Sequence, residues 1–376
     1  EQLNCRERAI MAHKNYLRGL GLLLILTFSI GMSDQSHKNQ EGYPSQRAPL
    51  PFAFSIVGTS NPETNLYYNR TTNFHISLFS GNVRSVQGLQ VGAISNFVRS
   101  DFFGYDATGI YSEVGGNFSG SQASGLIGSV KGNFFGLQTA GIFNHVGGDY
   151  YGLQSSGVIN KVEGDFSGIQ ISGVVNRAEN VNFLQVAGVA NDSKNVEGVQ
   201  ISGIINKADH VRGVQIGLIN KSKKLDGIAI GLINLSESGS VHLVSWATSP
   251  ESIQAGIKFA PNDYWYTILT LGNTMGLDDD KILSVFQGRM GLHFDIVPRL
   301  YVEMDMGGGN SIPNNISRFN EAAGYHSVLE ARVSMGYKIG SRFAIFGGVS
   351  NTKIGEDISW FHQGEGEIRP FFGVQI

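Results

Sequence analysis

The sequence predicts an all-β protein built mainly from a β-solenoid, and three observations carry this prediction. A unit of 14–16 residues, with Gly-aliphatic-Gln followed by a second Gly and an Asn, occurs about ten times. The chain has 50 glycines among 376 residues and only 16% charged residues, as expected for a β-rich protein without long helices. Proline is absent between Pro62 and Pro250, which keeps backbone N–H groups available for sheet pairing.

The first glycine of each unit gives the repeat its period. These glycines are 16 residues apart at Gly88, Gly104, Gly120, Gly136, Gly152 and Gly168. Phe183 then takes the glycine place, and Gly198, Gly213 and Gly227 follow at steps of 15, 15 and 14. An internal repeat of this length indicates stacked units that bury a shared core.

Columns of similar residues predict how the units stack. Apolar residues stand two places before the first glycine, and the run Phe134, Tyr150, Phe166 and Val181 is expected to form a buried stack. Two further apolar columns, which begin at Leu89 and Ala93, follow the two glycines and are expected to extend this core. An asparagine column predicts an amide ladder at a corner: Asn96, Asn144, Asn160, Asn176, Asn191, Asn206, Asn220 and Asn234.

Two architectures fit the repeats. In a parallel β-solenoid each unit is one coil, whereas in an antiparallel meander each unit is one strand and a turn, and the whole chain closes into one large β-barrel. The two glycines are five positions apart at Gly168 and Gly173 but four apart at Gly213 and Gly217. Because a one-residue change in a meander turns every later side chain to the other face, this variation favours the solenoid.

The segments around the repeats give the domain organisation. The predicted boundaries are 1–33 for upstream residues and a signal peptide, 34–49 for a linker, 50–83 for N-terminal capping strands, 84–240 for the repeat domain and 241–376 for an antiparallel β domain. Basic Lys14 and Arg18 precede the apolar run 19–30, so cleavage is expected between Met32 and Gln35, and an uncleaved anchor helix is the alternative. The only cysteine, Cys5, lies upstream, so the exported chain is expected to contain no disulfide.

After residue 240 the pattern changes to strict alternation. Between Leu300 and Met306, apolar residues alternate with Tyr301, Glu303 and Asp305, and residues 329–338 repeat this pattern. About eight such strands are expected. They fit a small membrane barrel that is apolar outside and polar inside, and they fit equally a water-soluble antiparallel sheet packed on the solenoid.

The iterated G-[LIV]-Q-x-x-G-[VIL]-x-N units followed by amphipathic strands resemble the bacterial surface repeat-containing proteins of Gram-negative organisms. The resemblance covers residues 52–376 and implies an exported protein at the outer membrane or cell surface. It brings no defined activity and no functional residues. The early units depart from the pattern, since Asp106 replaces Gln, and Ser112 and Gly128 replace Asn.

Few residues suggest chemistry. A column of basic residues is a candidate ligand-contact stripe for an anionic glycan or lipid head group: His145, Lys161, Arg177, Lys207 and Lys221. Acidic Glu163, Glu179 and Asp209 recur two places further on and are expected to neutralise much of it. Asp278, Asp279 and Asp280 match no calcium loop and suit a polar hairpin tip. The sequence predicts no catalytic, cofactor-binding or metal site.

The function expected from these features is a structural or interaction role in the cell envelope, not catalysis. Expected partners are an envelope glycan, a lipid or another surface protein, with contact to the outer membrane through 241–376. The net charge of −3 predicts no nucleic-acid binding. The main alternative is an outer-membrane transport channel. A glycan-processing enzyme has less support, because the repeats offer Gln, Ser and Asn in place of paired carboxylates.

Overall fold

The computed structural model describes residues 48–249, 252–275, 282–313, 326–340, 343–355 and 367–376. They form a parallel sheet of 20 strands and, after it, a closed barrel of eight antiparallel strands. The predicted solenoid is therefore confirmed, and the single large antiparallel barrel is wrong. The expected signal peptide, its cleavage site, most of the linker and Asp278–Asp280 lie outside the described residues.

The solenoid contains the first 20 strands. Their bounds are β1 Leu50–Val57, β2 Thr71–Val83, β3 Ser85–Gly92, β4 Ser95–Val98, β5 Phe102–Thr108, β6 Tyr111–Val114, β7 Phe118–Ser124, β8 Ile127–Val130, β9 Phe134–Ala140, β10 Phe143–Val146, β11 Tyr150–Ser156, β12 Ile159–Val162, β13 Phe166–Ser172, β14 Val175–Ala187, β15 Ala190–Ser202, β16 Ile205–Lys207, β17 His210–Ile216, β18 Ile219–Ser222, β19 Lys224–Ile230 and β20 Ile233–Ser236. Each 16-residue coil has one long strand, a glycine corner, one short strand and a turn.

Successive coils stack in register, as the repeat columns predict. Tyr150 of β11 pairs with Phe134 of β9 below it and with Phe166 of β13 above it. Asn160 of β12 pairs likewise with Asn144 and Asn176. In the coils of 15 residues the turn is shorter, so a short strand runs on into the next long one, as in β14 and β15.

The first glycine of every unit except the last, Gly227, has a positive φ that other residues avoid. Gly168 has φ +134°, and a Cβ atom there would lie 2.0 Å from the carbonyl oxygen of Gly152 in the previous coil. Phe183 occupies the same column, paired with Gly168 and Gly198, and it keeps a positive φ of 109°. Glycine is thus favoured in this column because the backbones of consecutive coils approach closely there and φ is positive.

The aromatic column forms the buried core, as predicted. The rings of Phe134 and Tyr150 are stacked with centroids 4.9 Å apart, and those of Tyr150 and Phe166 lie 5.1 Å apart. Val181 continues the column in register with Phe166. The valines of the short strands, among them Val146, complete the same apolar cluster.

The prediction that all three apolar columns are buried is wrong. Leu137, Leu153 and their equivalents follow an inward-pointing position and therefore point out of the coil, where they are partly exposed. The corner residues after the second glycine also lie outside. The first member of that column is Ile94 and not, as predicted, Ala93. Ser95 pairs with Tyr111, so the residue before it, Ile94, aligns with Ile110.

The eight barrel strands follow directly. Their bounds are β21 Ser240–Ser249, β22 Ser252–Ala260, β23 Trp265–Met275, β24 Ile282–Val297, β25 Leu300–Pro313, β26 His326–Ile339, β27 Phe343–Gly355 and β28 Glu367–Gln375. Each strand pairs antiparallel with its sequence neighbours, and β21 pairs with β28 to close the barrel. Of the two predicted arrangements, a small barrel and an antiparallel sheet packed on the solenoid, the strands form the barrel.

Candidate functional site

The predicted basic stripe is one outward-facing column on the short strands. His145 pairs with Lys161 across β10 and β12, and Lys161 with Arg177. The next position holds Asp192, which separates Arg177 from Lys207. Lys221 follows Lys207 and is exposed. The structure thus brings all five predicted residues into one column, with an acidic residue inside it.

Ion pairs neutralise most of this stripe. Glu163 lies 2.6 Å from the Lys161 ammonium and 3.3 Å from His145 Nε2, and hydrogen bonds from these two groups lower its pKa. Asp192 pairs with Arg177 at 2.8 Å and is 3.7 Å from the Lys207 ammonium. Glu179 and Asp209 pair with lysines outside the column, Lys194 and Lys223. The stripe therefore has little excess positive charge with which to hold an anion.

Two polar columns are buried inside the solenoid next to the aromatic core. The asparagines form the predicted ladder, since the Nδ2 of Asn144 donates to Oδ1 of Asn160 and that of Asn160 to Asn176, each at 3.0 Å. The ladder lies within the short strands and not, as predicted, at a corner. A second ladder of glutamines runs beside it, with Gln154 donating to Gln138 at 2.8 Å. Burial of the glutamines was not predicted from the sequence. Strand alternation could have indicated it, because Gln138 is four residues after the buried Phe134 and so lies on the same inner side.

The irregular early units replace these ladder residues by a matched pair. Asp106 takes the place of Gln and Ser112 that of Asn, and the Ser112 hydroxyl donates to the Asp106 carboxyl group. Asn96 Nδ2 also donates to Asp106, at 3.0 Å. Burial raises the pKa of Asp106, and the hydrogen bonds from its neighbours offset part of that rise. The folded protein therefore holds this proton to a higher pH than an exposed aspartate would.

One side of the solenoid carries the exposed apolar columns, and we call it the apolar face. In the coil 152–159 it comprises Leu153, Ser155, Gly157, Val158 and Ile159. The corresponding residues of the other coils, from Phe74 in β2 to Ile233 in β20, include no Asp, Glu, Lys, Arg or His. Several are large and well exposed, such as Ile204 at 46% and Leu218 at 49%. The face continues without interruption along the coil stack.

The barrel interior contains charged side chains that pair with each other, next to a buried apolar cluster that includes Trp246, Phe346 and Phe371. Arg289, with a side chain 0% exposed, contacts Asp305 at 2.6 Å and Glu330 at 2.7 Å. Arg332 contacts the same Asp305 at 2.9 Å and lies over the Trp246 ring at 4.0 Å. This cluster spans four strands and occupies the centre of the barrel.

A second interior cluster lies toward the end where β24 meets β25. The ammonium of Lys258 pairs with Glu303, which also accepts from His293 Nδ1 at 2.7 Å. Tyr266 connects the two clusters, because its hydroxyl donates to Asp305 at 3.0 Å and its ring lies 4.2 Å from the Lys258 ammonium. An eight-stranded barrel is just wide enough for side chains to fill, and these two clusters occupy its interior together with the apolar cluster around Trp246.

The last coil of the solenoid stacks against the outer wall of the barrel. The indole N–H of Trp265 donates to the Ala229 carbonyl at 2.8 Å, and Asn262 Nδ2 donates to that of Gly227 at 2.7 Å. Asn234, the final residue of the asparagine ladder, donates to Thr267 Oγ1 at 2.8 Å. The barrel wall thus covers the C-terminal end of the solenoid, where strand edges are otherwise open.

The part of the chain that the structure describes contains no group of three or more His, Cys, Asp or Glu side chains placed to hold a metal ion. Among the same residues there is no helix with the length and apolarity that a membrane crossing requires.

Comparisons with known proteins add one weak similarity. No family description matches the sequence, and no curated protein matches it. Among solved structures, the N-terminal β-barrel domain of Pseudomonas aeruginosa OprF is similar at 14% identity and a TM-score of 0.27. The match covers 36% of this chain and 97% of that one. A similarity at this TM-score supports no conclusion about function.

Proposed function

We propose that the protein is an exported cell-envelope component whose barrel is anchored in the outer membrane and whose solenoid has a structural or interaction role. The observation that carries this proposal is the polarity of the barrel, which is charged inside and apolar outside. A water-soluble sheet would present the opposite arrangement, with its charged side chains toward solvent. Membrane barrels have an apolar outer band and a polar interior.

The outer wall of the barrel supports this reading. On β26 the outward residues Val333, Met335 and Ile339 are large, apolar and about half exposed. Of the outward wall positions whose side chains the structure describes, only Lys353 is charged. Lys353 and the polar residues Asn273, Asn310 and Asn351 lie toward the end of the barrel that is remote from the solenoid. The apolar band therefore occupies the end that adjoins the solenoid.

The lengths of the strand connections support an orientation. At the end that adjoins the solenoid, the connections are short: 261–264, 298–299 and 340–342. At the other end the two longest connections are 314–325 and 356–366. In outer-membrane barrels the short turns are periplasmic and the longer loops extracellular. We therefore place the solenoid on the periplasmic side.

The alternative function, transport through a channel, has less support from the barrel. The Arg289, Asp305 and Glu330 side chains cross its interior and are almost completely buried. A pore would need these ion pairs to separate. An anchor has no such requirement, and the interior charges are then explained as packing between strands.

Membrane fractionation of a Gram-negative host expressing the full chain tests the proposal. We expect the protein in the outer-membrane fraction, resistant to alkaline extraction and without conductance in planar bilayers. Met335→Asp, in the apolar band, should prevent insertion, whereas Lys353→Asp, at the polar end, should not. Recovery of the wild-type protein in the soluble fraction would refute the anchor. Removal of the solenoid by protease added to intact cells would refute the periplasmic orientation.

A further inference from the structure

The apolar face of the solenoid has the dimensions of a large contact surface. It extends over twelve rungs, from β1 and β2 to the coil of β19 and β20. At a rung spacing of roughly 4.8 Å the face is about 50 Å long, and five residues across make it about 15 Å wide. Its area is thus at or above the roughly 300–600 Å² that is typical of the largest apolar patch on a soluble monomer.

The charges of the solenoid lie away from this face. The pairs Lys161–Glu163 and Arg177–Asp192 lie on the outward side of the short strands beyond the asparagine column. Arg212 and Glu197 pair at 2.9 Å near the start of the long strands, on the far side of the first glycine column. These charged pairs therefore lie outside the apolar face, although the column of Glu197 and Arg212 holds exposed aromatic residues in earlier coils: Phe103, Phe135 and Tyr151.

The apolar face continues directly into the outer wall of the barrel. Leu218, Ile230 and Leu232 of the last two coils line one groove together with Leu269 and Met290. Leu269 and Met290 belong to the apolar band of the barrel wall. The hydrogen bonds of Asn234 and Trp265 to their partners hold the last coil against that wall.

From this continuity we infer that the solenoid lies along the membrane, with its apolar face in contact with the acyl chains of the leaflet that surrounds the lower part of the barrel. The inference rests on the proposed function, because it requires the barrel to span the bilayer. A leaflet that contacts Leu269 and Met290 necessarily reaches the adjoining Leu218 and Leu232. The occupant of the face is thus lipid, and the charged pairs face water.

The backbone of the solenoid permits this contact. Along the coil stack, strand N–H and C=O groups pair with the neighbouring coils, as between β11 and β13, so the face presents few open hydrogen-bonding groups to lipid. The C-terminal edge is covered by the barrel wall. Glycines at the corners, such as Gly157 and Gly173, add no polar side chain.

Spin-label accessibility in vesicles tests the inference on the full chain. In a Cys5→Ser background, labels are placed at Leu153→Cys and Ile204→Cys on the apolar face. Lys161→Cys and Arg212→Cys outside the apolar face are the matched controls, and Met335→Cys reports barrel insertion. The protein is reconstituted into dioleoylphosphatidylcholine vesicles. Oxygen, which concentrates in lipid, and a water-soluble nickel complex are then compared as relaxation agents.

We expect the oxygen-to-nickel accessibility ratio at positions 153 and 204 to be several-fold higher than at 161 and 212, and close to that at 335. Free nickel access at 153 and 204, with position 335 in lipid, would overturn the inference and leave the anchor intact. Protection of 153 and 204 from both agents, with dipolar broadening between labels, would overturn it in favour of a second copy of the chain. Nickel access at position 335 would overturn the anchor and the inference together.

Discussion

Asp106 is the residue at which the interior of the solenoid departs most from its own pattern. It stands between Gln90 and Gln122 in a column of amides, fully buried. A glutamine there would offer both a donor and an acceptor to its neighbours, whereas an ionised aspartate offers only acceptors. The hydroxyl group of Ser112, in the asparagine column, donates to the Asp106 carboxyl group and supplies one of the donors that this acceptor needs.

The raised pKa of Asp106 predicts a dependence of stability on pH. The folded state holds the proton to a higher pH than the unfolded chain, which releases it above its ordinary pKa of about 3.9. The folded state then binds more protons, so this residue reduces stability as pH rises above that value. Asp106→Asn should raise the urea midpoint at neutral pH. It should also make the midpoint fall less steeply as pH rises. The control is Asp263→Asn, an exposed carboxylate, and equal midpoints for wild type and Asp106→Asn at neutral pH would contradict the raised pKa of Asp106.

His75, which continues the glutamine column in β2, acts in the opposite direction. Burial lowers its pKa to about 4, so the folded state holds it neutral while the unfolded chain is protonated below about 6.5. Its contribution to stability is lost as pH falls from about 6.5 to about 4. Measurements of Asp106→Asn are therefore best interpreted at pH values above about 7, where His75 is neutral in both states.

Adjacent phenylalanines give a direct test of which side chains are buried. Phe134 is fully buried in the aromatic column, and Phe135, the next residue, is 57% exposed. Phe134→Asp should lower the free energy of unfolding by several kcal/mol, because it places a charge within a ring stack. Phe135→Asp should change it by less than about 1 kcal/mol. Equal urea midpoints for the two variants would show that the inner and outer sides are wrongly assigned.

At the level of the coil, the glycine column allows consecutive units to stack closely, because there is no room for a Cβ atom between them. Gly168→Ala would put a methyl group 2.0 Å from the Gly152 carbonyl oxygen and would force an L-residue to a φ of +134°. We expect a loss of at least about 1–3 kcal/mol in unfolding free energy. Phe183→Gly, in the same column at φ +109°, should be neutral or stabilising because it releases strain. Thermal unfolding of both variants checks this, and a loss of stability in Phe183→Gly would mean that its exposed ring makes contacts that outweigh the strain.

The repeat made much of the solenoid predictable. The step of 16 residues predicted the register, so Asn144, Asn160 and Asn176 were expected in one ladder and are found in it. The side of the coil on which each apolar column lies was not predicted, because Leu137 is as hydrophobic as a core residue. Strand alternation contained that information, since a buried Phe134 and Gln138 require Leu137 to point outward.

Across the whole molecule, the closure of the barrel and its docking to the solenoid required long-range information. Alternation in β25 and β26 predicted one apolar and one polar side, and Glu303 and Asp305 are indeed inside. The same alternation fits an open sheet, because it does not specify whether β21 meets β28. The contacts of Trp265 and Asn234 join residues far apart in the sequence, and no local pattern marks them.

The interior ion pairs should determine the stability of the barrel as a unit. Arg289→Met removes the partner of Glu330 and one of the two partners of Asp305, leaving buried carboxylates with too few cations. Removing one member of a buried pair typically costs about 3–5 kcal/mol. Arg212→Met removes an exposed partner of Glu197 on the solenoid and should have little effect. The measurement is the temperature at which the vesicle-inserted protein loses its compact band on a semi-native gel.

A charge-balanced variant separates electrostatics from packing in the same experiment. Arg289→Met combined with Glu330→Gln should recover part of the lost stability, because it removes the carboxylate that the single variant leaves unpaired. Arg289→Met alone and Arg212→Met should then differ by many degrees, with the double variant between them. If Arg289→Met keeps the wild-type temperature, the charged cluster does not hold the strands together. An open channel would then explain the charged interior of the barrel better than a packed anchor.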